Sequence, residues 1–347
     1  MSSSMKRAIK RSLYFLLYYS GMLRLMVFFW SYRKKQHAAI LFYHRFRRPG
    51  DGAEDLLPRL DGDEFDRQLA YLKGTYDVLS LDEACALIRT GKGFRKPAIV
   101  LTIDDGYRDN YTVAYPIIRK HCLPVTIYLT AGFLGGKEGL WIDDIEYALR
   151  KTERDTFMLP GIFGEERVDI ATLAGKRSAE KRLYHRLAHA DSRERRACLR
   201  ELFAALDLPA EDGAGRERGM MSWEEVNEMA GHGITFGAHT MTHPCLASLP
   251  LEDAKREILD SRRVVEERTG KEARHFAIPN GKAADFSDEL RIACREMGFA
   301  SVVTTEPGVV NASSDLFSLE RIIPPPPTYY FACELARYLF RRGKDNG

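Results

Sequence analysis

Short apolar runs alternate with helical patterns through most of the chain, and this alternation constrains the fold more than any other feature. Ala98–Ile103 and Val125–Leu129 are continuous apolar runs, which is typical of strands buried on both faces. Residues 110–121 and 251–269 have helical spacing. Strands that alternate with helices pair in parallel, and 347 residues is near the usual size of one α/β barrel. The sequence therefore predicts a distorted (β/α) barrel.

The remaining elements divide the chain into three parts. We predict further strands at 38–43, 78–81, 234–238, 275–278 and, last, 300–304, and further helices at 82–90, 222–230 and 286–297, with Asp63 capping another. Residues from about 133 to 221 break the alternation and predict a helical insertion on one side of the barrel. The barrel is predicted over 37–323. It follows a basic and apolar segment at 1–36 and precedes a proline-rich linker and a C-terminal helix at 324–347.

The N-terminal segment predicts contact with a membrane. Basic residues flank an apolar, aromatic-rich stretch over 13–32, and Arg24 lies near its middle, where a charge disfavours a spanning helix. The prediction favours a helix in the membrane interface over a spanning anchor or a helix packed on the protein. Six scattered cysteines and the lack of a cleavage site favour the cytoplasmic face over the periplasmic one. The net charge of +3 does not indicate a nucleic-acid partner.

Polar residues follow three of the predicted strands, where barrel enzymes place their catalytic groups. Asp104-Asp105 follows one strand, His239 and His243 follow a second after Gly237, and Pro279-Asn280-Gly281 follows a third. Asp105 and the two histidines together supply one carboxylate and two imidazoles, which leaves open positions on a divalent ion. Zinc is the foremost candidate, with cobalt, nickel or iron also compatible. Asp104 is then free to accept a proton from water.

A second His-x-x-x-His pair, His185 and His189, has a different context. Arg182 and Arg186 crowd these histidines, and no carboxylate is in position on the predicted helix. We interpret this pair as part of a solvated helix face.

The motifs resemble those of the polysaccharide deacetylases of the NodB-homology group, carbohydrate esterase family 4. Thr102-Ile-Asp-Asp-Gly106 is similar to the family's first motif, and His239-Thr-Met-Thr-His243 is similar to its second. The third is met in part by Arg274, Phe276, Pro279 and Gly281, with Asn280 where an aromatic residue is usual. The resemblance covers residues 38–323.

This resemblance implies roles for individual residues. Asp104 would be the catalytic base, Asp105, His239 and His243 would hold the metal, and the Tyr107 N–H would stabilise the oxyanion. An arginine that pairs with the base is usual where this chain has Ala277, and the usual Leu-x-His is replaced by residues 318–321. His44 ends the first strand, as in permuted branches of the family. It would be the general acid, or else a hydrogen-bonded histidine at a strand end.

The predicted function is metal-dependent hydrolysis of N-acetyl groups on an N-acetylhexosamine-containing glycan or lipid-linked saccharide, in cell-envelope or exopolysaccharide metabolism. Trp141 is predicted to form part of a sugar-stacking wall or to anchor the insertion, and Asn280 to contact substrate. Hydrolysis of another C–N bond or an ester on the same scaffold remains an alternative. A non-catalytic glycan-binding relative is another.

Overall fold

Strands and helices alternate along the chain in the computed structural model, which describes residues 3–32, 36–51, 56–136, 139–190, 192–209 and 219–340. The strands are β1 (Ala38–Tyr43), β2 (Phe46–Arg47), β3 (Leu60–Asp61), β4 (Asp77–Leu79), β5 (Ala98–Ile103), β6 (Val125–Leu129), β7 (Thr156–Met158), β8 (Arg167–Asp169), β9 (Thr235–Ala238), β10 (His275–Ala277), β11 (Ser301–Pro307) and β12 (Leu319–Ile322). The helices are α1 (Ser3–Tyr19), α2 (Met22–Trp30), α3 (Gly62–Lys73), α4 (Leu81–Arg89), α5 (Tyr115–His121), α6 (Trp141–Lys151), α7 (Pro160–Phe163), α8 (Leu173–Leu187), α9 (Ser192–Ala205), α10 (Trp223–Gly231), α11 (Leu251–Thr269), α12 (Asp288–Glu296) and α13 (Thr328–Phe340). A π-helical turn at Asn110–Ala114 precedes α5, and 3-10 turns lie at Leu246–Ser248 and Ala283–Asp285.

Seven strands close into a parallel barrel in the order β1, β5, β6, β9, β10, β11, β12 and back to β1. β1 and β5 pair along their whole length, from Ala38 opposite Ala98 to Tyr43 opposite Ile103. β4 pairs with the first half of β5 and β6 with its second half, so β4 and β6 share one edge of that strand. The predicted (β/α) barrel is confirmed.

The barrel strands are buried on both faces, and their side chains alternate between the inside of the barrel and the layer between the barrel and its helices. The core inside the barrel contains Ile40, Val100 and Val303. Outside it, Leu41 and Leu101 belong to one core, and residues of β10 and β11 to another. Side chains continue to alternate between inward and outward directions just past the strand ends. Polar residues at the inward positions there point into the mouth of the barrel.

Strand β12 was not predicted, and the interpretation of residues 300–304 as the last strand is wrong. β12 closes the barrel, with Ile40 of β1 opposite Arg321. Two of its four residues are charged, Glu320 and Arg321, so its sequence lacks the apolar run that marks the other buried strands. The helix predicted from an Asp63 cap instead uses the Asp61 side chain, which accepts from the Asp63 and Glu64 amides.

The predicted insertion contains helices α6 to α9 and an antiparallel pair of strands, β7 and β8, which the sequence did not indicate. Its apolar residues form a separate core that includes Ile145, Leu183 and Leu202. Residues 137–138, 191 and 210–218 of the predicted insertion lie outside the described residues, as do 1–2, 33–35 and 341–347 of the two predicted end segments. The domain boundaries therefore stay predictions.

The N-terminal segment forms two helices bent by 77°, and Gly21, with φ of 76°, lies at the bend. α1 packs on α13, where Tyr14 donates a 2.7 Å hydrogen bond to Glu334. Leu23 and Val27 of α2 are buried. The opposite sides of both helices expose large apolar side chains, among them Leu13, Leu16, Tyr19, Leu25, Phe28 and Phe29. No single helix among the described residues could cross a membrane by length and hydropathy, although α1 and α2 together could as a bent pair.

Candidate active site

The C-terminal ends of the barrel strands surround a cavity of about 670 Å³. The segments that follow β1, β5, β9, β10 and β12 all contribute to its lining. Each residue predicted for the site lies on its wall, although these residues are far apart in the sequence: His44, Asp104, Asp105, Tyr107, Trp141, His239, His243 and Asn280.

The backbone reverses sharply at the end of β5, and this turn brings two adjacent carboxylates to one site. Asp105 has φ of 78° and Gly106 has φ of 86°. Holding a non-glycine residue at positive φ costs roughly 1–3 kcal/mol, and such residues are concentrated at functional sites. At Gly106 a Cβ atom would lie 2.9 Å from Leu129 Cδ2, so any other residue would also force the Leu129 side chain to shift. Thr240, His243 and Asn280, at the ends of β9 and β10, also have positive φ.

Asp105, His239 and His243 converge as a metal-ligand set. Asp105 Oδ1 lies 3.3 Å from His239 Nε2 and 3.6 Å from His243 Nε2. His239 Nδ1 lies 2.7 Å from the Ala277 carbonyl oxygen, and this contact places the ring proton on Nδ1 and leaves the Nε2 lone pair facing Asp105. Asp105 Oδ1 is buried and receives no hydrogen bond from the described residues. An orphaned carboxylate oxygen between two imidazole nitrogens fits a divalent cation.

The surroundings shift the pKa values of Asp105 and His243. Burial would raise the pKa of Asp105, but the three imidazoles close to it, of His239, His44 and His243, outweigh burial, so the pKa lies below its ordinary value. Burial, followed by the charge of His239, lowers the pKa of His243 to about 4. A carboxylate and a neutral imidazole are the forms that bind metals.

Asp104 is paired with a buried arginine. Arg321 donates from Nη1 to Asp104 Oδ1 at 2.8 Å and from Nη2 to Oδ2 at 2.7 Å, and the two side chains are 0% and 2% exposed. Arg321 Nε also donates to the Thr304 carbonyl oxygen at 2.7 Å. Burial alone would raise the pKa of Asp104, but the charge and hydrogen bonds of Arg321 lower it below its ordinary value. The pair keeps Asp104 ionised and oriented.

Sequence reasoning missed Arg321. The family position where an arginine is usual holds Ala277, and the pairing comes instead from β12, on another strand of the barrel. The sequence did contain one signal for it. Leu319 and Arg321 are two residues apart, so on a strand Arg321 points to the same face as the apolar Leu319. Tyr184 of α8 and the prolines at 324–326, predicted as a linker, also line the cavity and were missed.

His44 follows β1 and lies next to Asp104. Its Nε2 lies 3.9 Å from Asp104 Oδ2, and its side chain is 42% exposed to the cavity. The His44 carbonyl oxygen accepts a 2.7 Å hydrogen bond from Asn110 Nδ2, which holds the backbone at this position. The exposed imidazole beside Asp104 is accessible to a molecule bound in the cavity.

The Tyr107 amide N–H points away from the segment that pairs with Tyr107. Tyr107 forms an antiparallel bridge with Met220, and the hydrogen bonds of this bridge are made by the flanking residues. In such a pair the N–H group points away from the partner strand. The Tyr107 side chain is buried, and Arg45 lies 4.3 Å from its ring centroid.

Trp141 belongs to the insertion, and Asn280 forms a hydrogen bond with it. Trp141 is 7% exposed, stacks on Tyr184 with ring centroids 5.5 Å apart, and belongs to the insertion core. These contacts favour the anchoring interpretation of Trp141 over the sugar-stacking one. Asn280 Oδ1 accepts a 2.6 Å hydrogen bond from the Tyr184 hydroxyl, so Tyr184 connects the insertion to the loop after β10.

Comparisons with known proteins agree with the motifs. The family model described as polysaccharide deacetylase matches residues 192–302, a range that contains His239 and His243 but not Asp104 and Asp105. A Bacillus subtilis (strain 168) protein named "Putative polysaccharide deacetylase YxkH" is 21% identical over 269 residues, or 77% of this chain. The chain spans 66% of that relative's length, just under two thirds.

Solved structures share the fold. The Streptococcus pyogenes deacetylase PplD, in complex with acetate, aligns with a TM-score of 0.54 at 20% identity, over 84% of this chain and 93% of that one. IcaB from Ammonifex degensii aligns with a TM-score of 0.53 at 17% identity, over 87% and 97%. The predicted resemblance to the polysaccharide deacetylases is confirmed. The polysaccharide deacetylases are hydrolases of carbon–nitrogen bonds other than peptide bonds, which is the predicted class of enzyme.

Proposed function

We propose that this chain is a divalent-metal-dependent hydrolase that removes N-acetyl groups from an N-acetylhexosamine-containing glycan. The observation that carries the proposal is the arrangement of Asp105 between His239 and His243, beside an ionised Asp104. An orphaned carboxylate oxygen and two imidazole nitrogens suit a zinc-like cation, and nickel, cobalt or iron would find the same ligands. A divalent ion bound there supplies Lewis acidity that polarises the acetamide carbonyl and makes water more acidic.

Asp104 is placed to act as the base. Arg321 binds both of its carboxylate oxygens, which fixes the orientation of the group and favours its ionised form, so Asp104 accepts a proton from the attacking water. The Tyr107 N–H stabilises the negative charge that develops on the carbonyl oxygen. Arg321 does not contact the substrate and acts as a positioning residue.

His44 protonates the departing amine. Its exposed ring lies beside Asp104 on the cavity wall, so a substrate that contacts the base also comes within reach of His44. An amine is a poor leaving group unless it is protonated as the C–N bond breaks. A general acid is therefore needed, and the reaction releases acetate and a free amino sugar.

A glycan fits the lining of the cavity. Its wall combines the polar groups above with Leu60, Leu140 and Ile323, and sugar rings present both polar edges and apolar faces. The names of the relatives, polysaccharide deacetylase and deacetylase, support an acetylated polysaccharide. A lipid-linked saccharide of cell-envelope or exopolysaccharide metabolism has the same reacting group.

The proposal is tested by measuring acetate release from N-acetylated oligosaccharides, with matched variants. Asp104→Asn should lose turnover by at least about 10²-fold while it retains the same metal content, because the ligands are intact. Asp260→Asn, in a carboxylate exposed on α11, should leave turnover unchanged. Turnover that survives Asp104→Asn would overturn the base assignment, and acetate release from O-acetylated glycans alone would favour an esterase.

We also propose that α1 and α2 lie in a membrane interface, on its cytoplasmic face. The exposed apolar side chains of the two helices support this, since large apolar patches on a protein surface mark interaction sites. The double variant Leu25→Ser/Phe29→Ser should sediment less with phospholipid vesicles than the unmodified protein. Ile292→Ser, which removes an exposed apolar residue on α12, is the matched control. Equal sedimentation of both variants would contradict the proposal.

The side of the membrane can be tested with Cys122, which is exposed. A membrane-impermeant maleimide should fail to label Cys122 in intact cells and label it after lysis. Cys122→Ser identifies the labelled site, and labelling of Cys122 in intact cells would place the barrel on the outer side.

A further inference from the structure

Three side chains from distant parts of the sequence meet outside the catalytic ligand set. His189 lies just after α8 in the insertion, Cys245 precedes the turn at Leu246–Ser248, and Asp285 ends the turn at Ala283–Asp285. A nitrogen of His189, the sulfur of Cys245 and a carboxylate oxygen of Asp285 all lie within 4.8 Å of one another. The interpretation of His189 as part of a solvated helix face is therefore incomplete, since the carboxylate absent from its own helix comes from another loop.

We propose that His189, Cys245 and Asp285 form a second divalent-cation site, of the zinc type, that joins the helical insertion to the barrel. Imidazole nitrogen, thiolate sulfur and carboxylate oxygen are the three kinds of ligand that zinc accepts in proteins. Three protein ligands leave a fourth position for water. The proposal does not depend on the proposed deacetylase activity.

The distance between the two buried ligands matches a tetrahedral ion. Cys245 Sγ lies 3.5 Å from Asp285 Oδ1. A zinc ion about 2.3 Å from sulfur and about 2.0 Å from oxygen, with a tetrahedral angle between them, separates the two atoms by about 3.5 Å. The other Asp285 oxygen, Oδ2, accepts a 2.8 Å hydrogen bond from the Lys282 amide, which orients the carboxylate with Oδ1 towards the sulfur.

Burial divides the site into a fixed part and an adjustable part. Cys245 is 1% exposed and Asp285 is 5% exposed, so the packing around them holds both side chains in place. His189 is exposed and lies beyond the last residue of α8, so its ring can move the short distance that coordination requires. The open side at His189 also gives an ion a route from solvent.

The site would link segments that matter for catalysis. Cys245 lies two residues after His243, and Asp285 lies in the same loop as Asn280, which Tyr184 of the insertion already contacts. An ion held by His189 would add a second connection between α8 and these loops. Occupancy of the site should therefore stabilise the insertion against the barrel.

Cobalt substitution tests the proposal, because the catalytic ligand set contains no sulfur. Protein reconstituted with Co²⁺ should bind two ions per chain and show a near-ultraviolet thiolate-to-cobalt absorption band. Cys245→Ser should lose the band and one ion while it keeps the other. The double variant His239→Ala/His243→Ala should keep the band, so failure of the catalytic site and failure of this one are distinguishable.

The exposed histidines provide a matched pair that avoids the buried positions. His189→Gln should weaken binding of the second ion by about 10-fold or more, whereas His185→Gln, which changes the neighbouring exposed histidine on α8, should not. Circular dichroism checks that each variant is folded. A single bound ion with no thiolate band in the unmodified protein would overturn the proposal, as would equal binding by the His189 and His185 variants. Cys245 would then only donate a weak hydrogen bond to Asp285.

Discussion

The Arg321→Met substitution should leave Asp104 buried without its partner charge. The two side chains are joined by hydrogen bonds of 2.8 and 2.7 Å and are almost fully excluded from solvent. Removing one partner of such a pair costs about 3–5 kcal/mol, mainly because the remaining charge stays buried. A domain has a free energy of unfolding of about 5–15 kcal/mol, so the variant should fold but be much less stable.

Combining the substitution with Asp104→Asn separates this cause from a simple packing defect. With a neutral amide at position 104, Arg321→Met leaves no buried carboxylate without a partner. The substitution should then lower the free energy of unfolding by about 2–4 kcal/mol less than it does alone. The measurement is urea-induced unfolding followed by circular dichroism at pH 7 in the presence of a chelator, so that metal binding does not contribute. The control is Arg274→Met, because the exposed pair of Arg274 with Asp82 should contribute less than about 1 kcal/mol.

Two results would refute the reasoning. One is additivity of the two substitutions to within about 0.5 kcal/mol, which would mean that the charges are not coupled. The other is a stability difference between the protein and its Arg321→Met variant that does not depend on pH. Since folding lowers the pKa of Asp104, the pair stabilises the protein above the ordinary value of 3.8, and its contribution should decline as the pH falls from 3.8 through the folded-state pKa.

Three further predictions concern the barrel, the insertion and the general acid. Gly237→Ala should lower the free energy of unfolding by roughly 1–3 kcal/mol, because a Cβ atom would lie 2.7 Å from the His275 carbonyl oxygen. Gly231→Ala, with no atom within 4 Å of the added Cβ, should leave it unchanged. Thermal unfolding of the two variants measures the difference. Burial raises the pKa of Glu180 to about 7, so the free energy of unfolding should fall as the pH rises from about 5 to 7. In urea unfolding, Glu180→Gln should stabilise the protein by about 1 kcal/mol at pH 8 but not at pH 5. In steady-state assays, His44→Asn should lower kcat for N-acetyl substrates by about 10²–10⁴-fold. It should have little effect on an activated ester, whose leaving group needs no proton. Equal losses on both substrates would argue against His44 as the acid.

Local patterns were enough to predict most of the barrel. β1, β5 and β6 have the bounds expected from their apolar runs, because a strand covered on both faces needs an uninterrupted apolar sequence. The same reasoning predicted that residues following the strands would meet, since parallel strands place their C-terminal ends at one rim. His44, Asp104 and His239 accordingly line one cavity, although no local signal relates them to one another.

Other features depend on contacts that no local pattern encodes. The course of the N-terminal segment, predicted as one apolar stretch, is decided by a bend at Gly21 and by the packing of α1 on α13. Trp141 was predicted to form part of a sugar-stacking wall or to anchor the insertion, and its stacking on Tyr184, which no local pattern predicts, favours the anchoring role. In each case the partner surface lies far along the chain, so sequence spacing alone leaves the alternatives equal.

The sequence by itself determined the fold class and the residue types of the candidate site, because both follow from short-range periodicity and from where strands end. Only the tertiary structure decided which cation pairs with Asp104. Arg321 is 217 residues away and turns inwards because β12 pairs with β1 in one register. A shift of that register by one residue would turn the guanidinium out of the barrel, since successive side chains on a strand point to opposite faces. Closure of the barrel, rather than any motif, therefore supplies the charge that keeps Asp104 ionised.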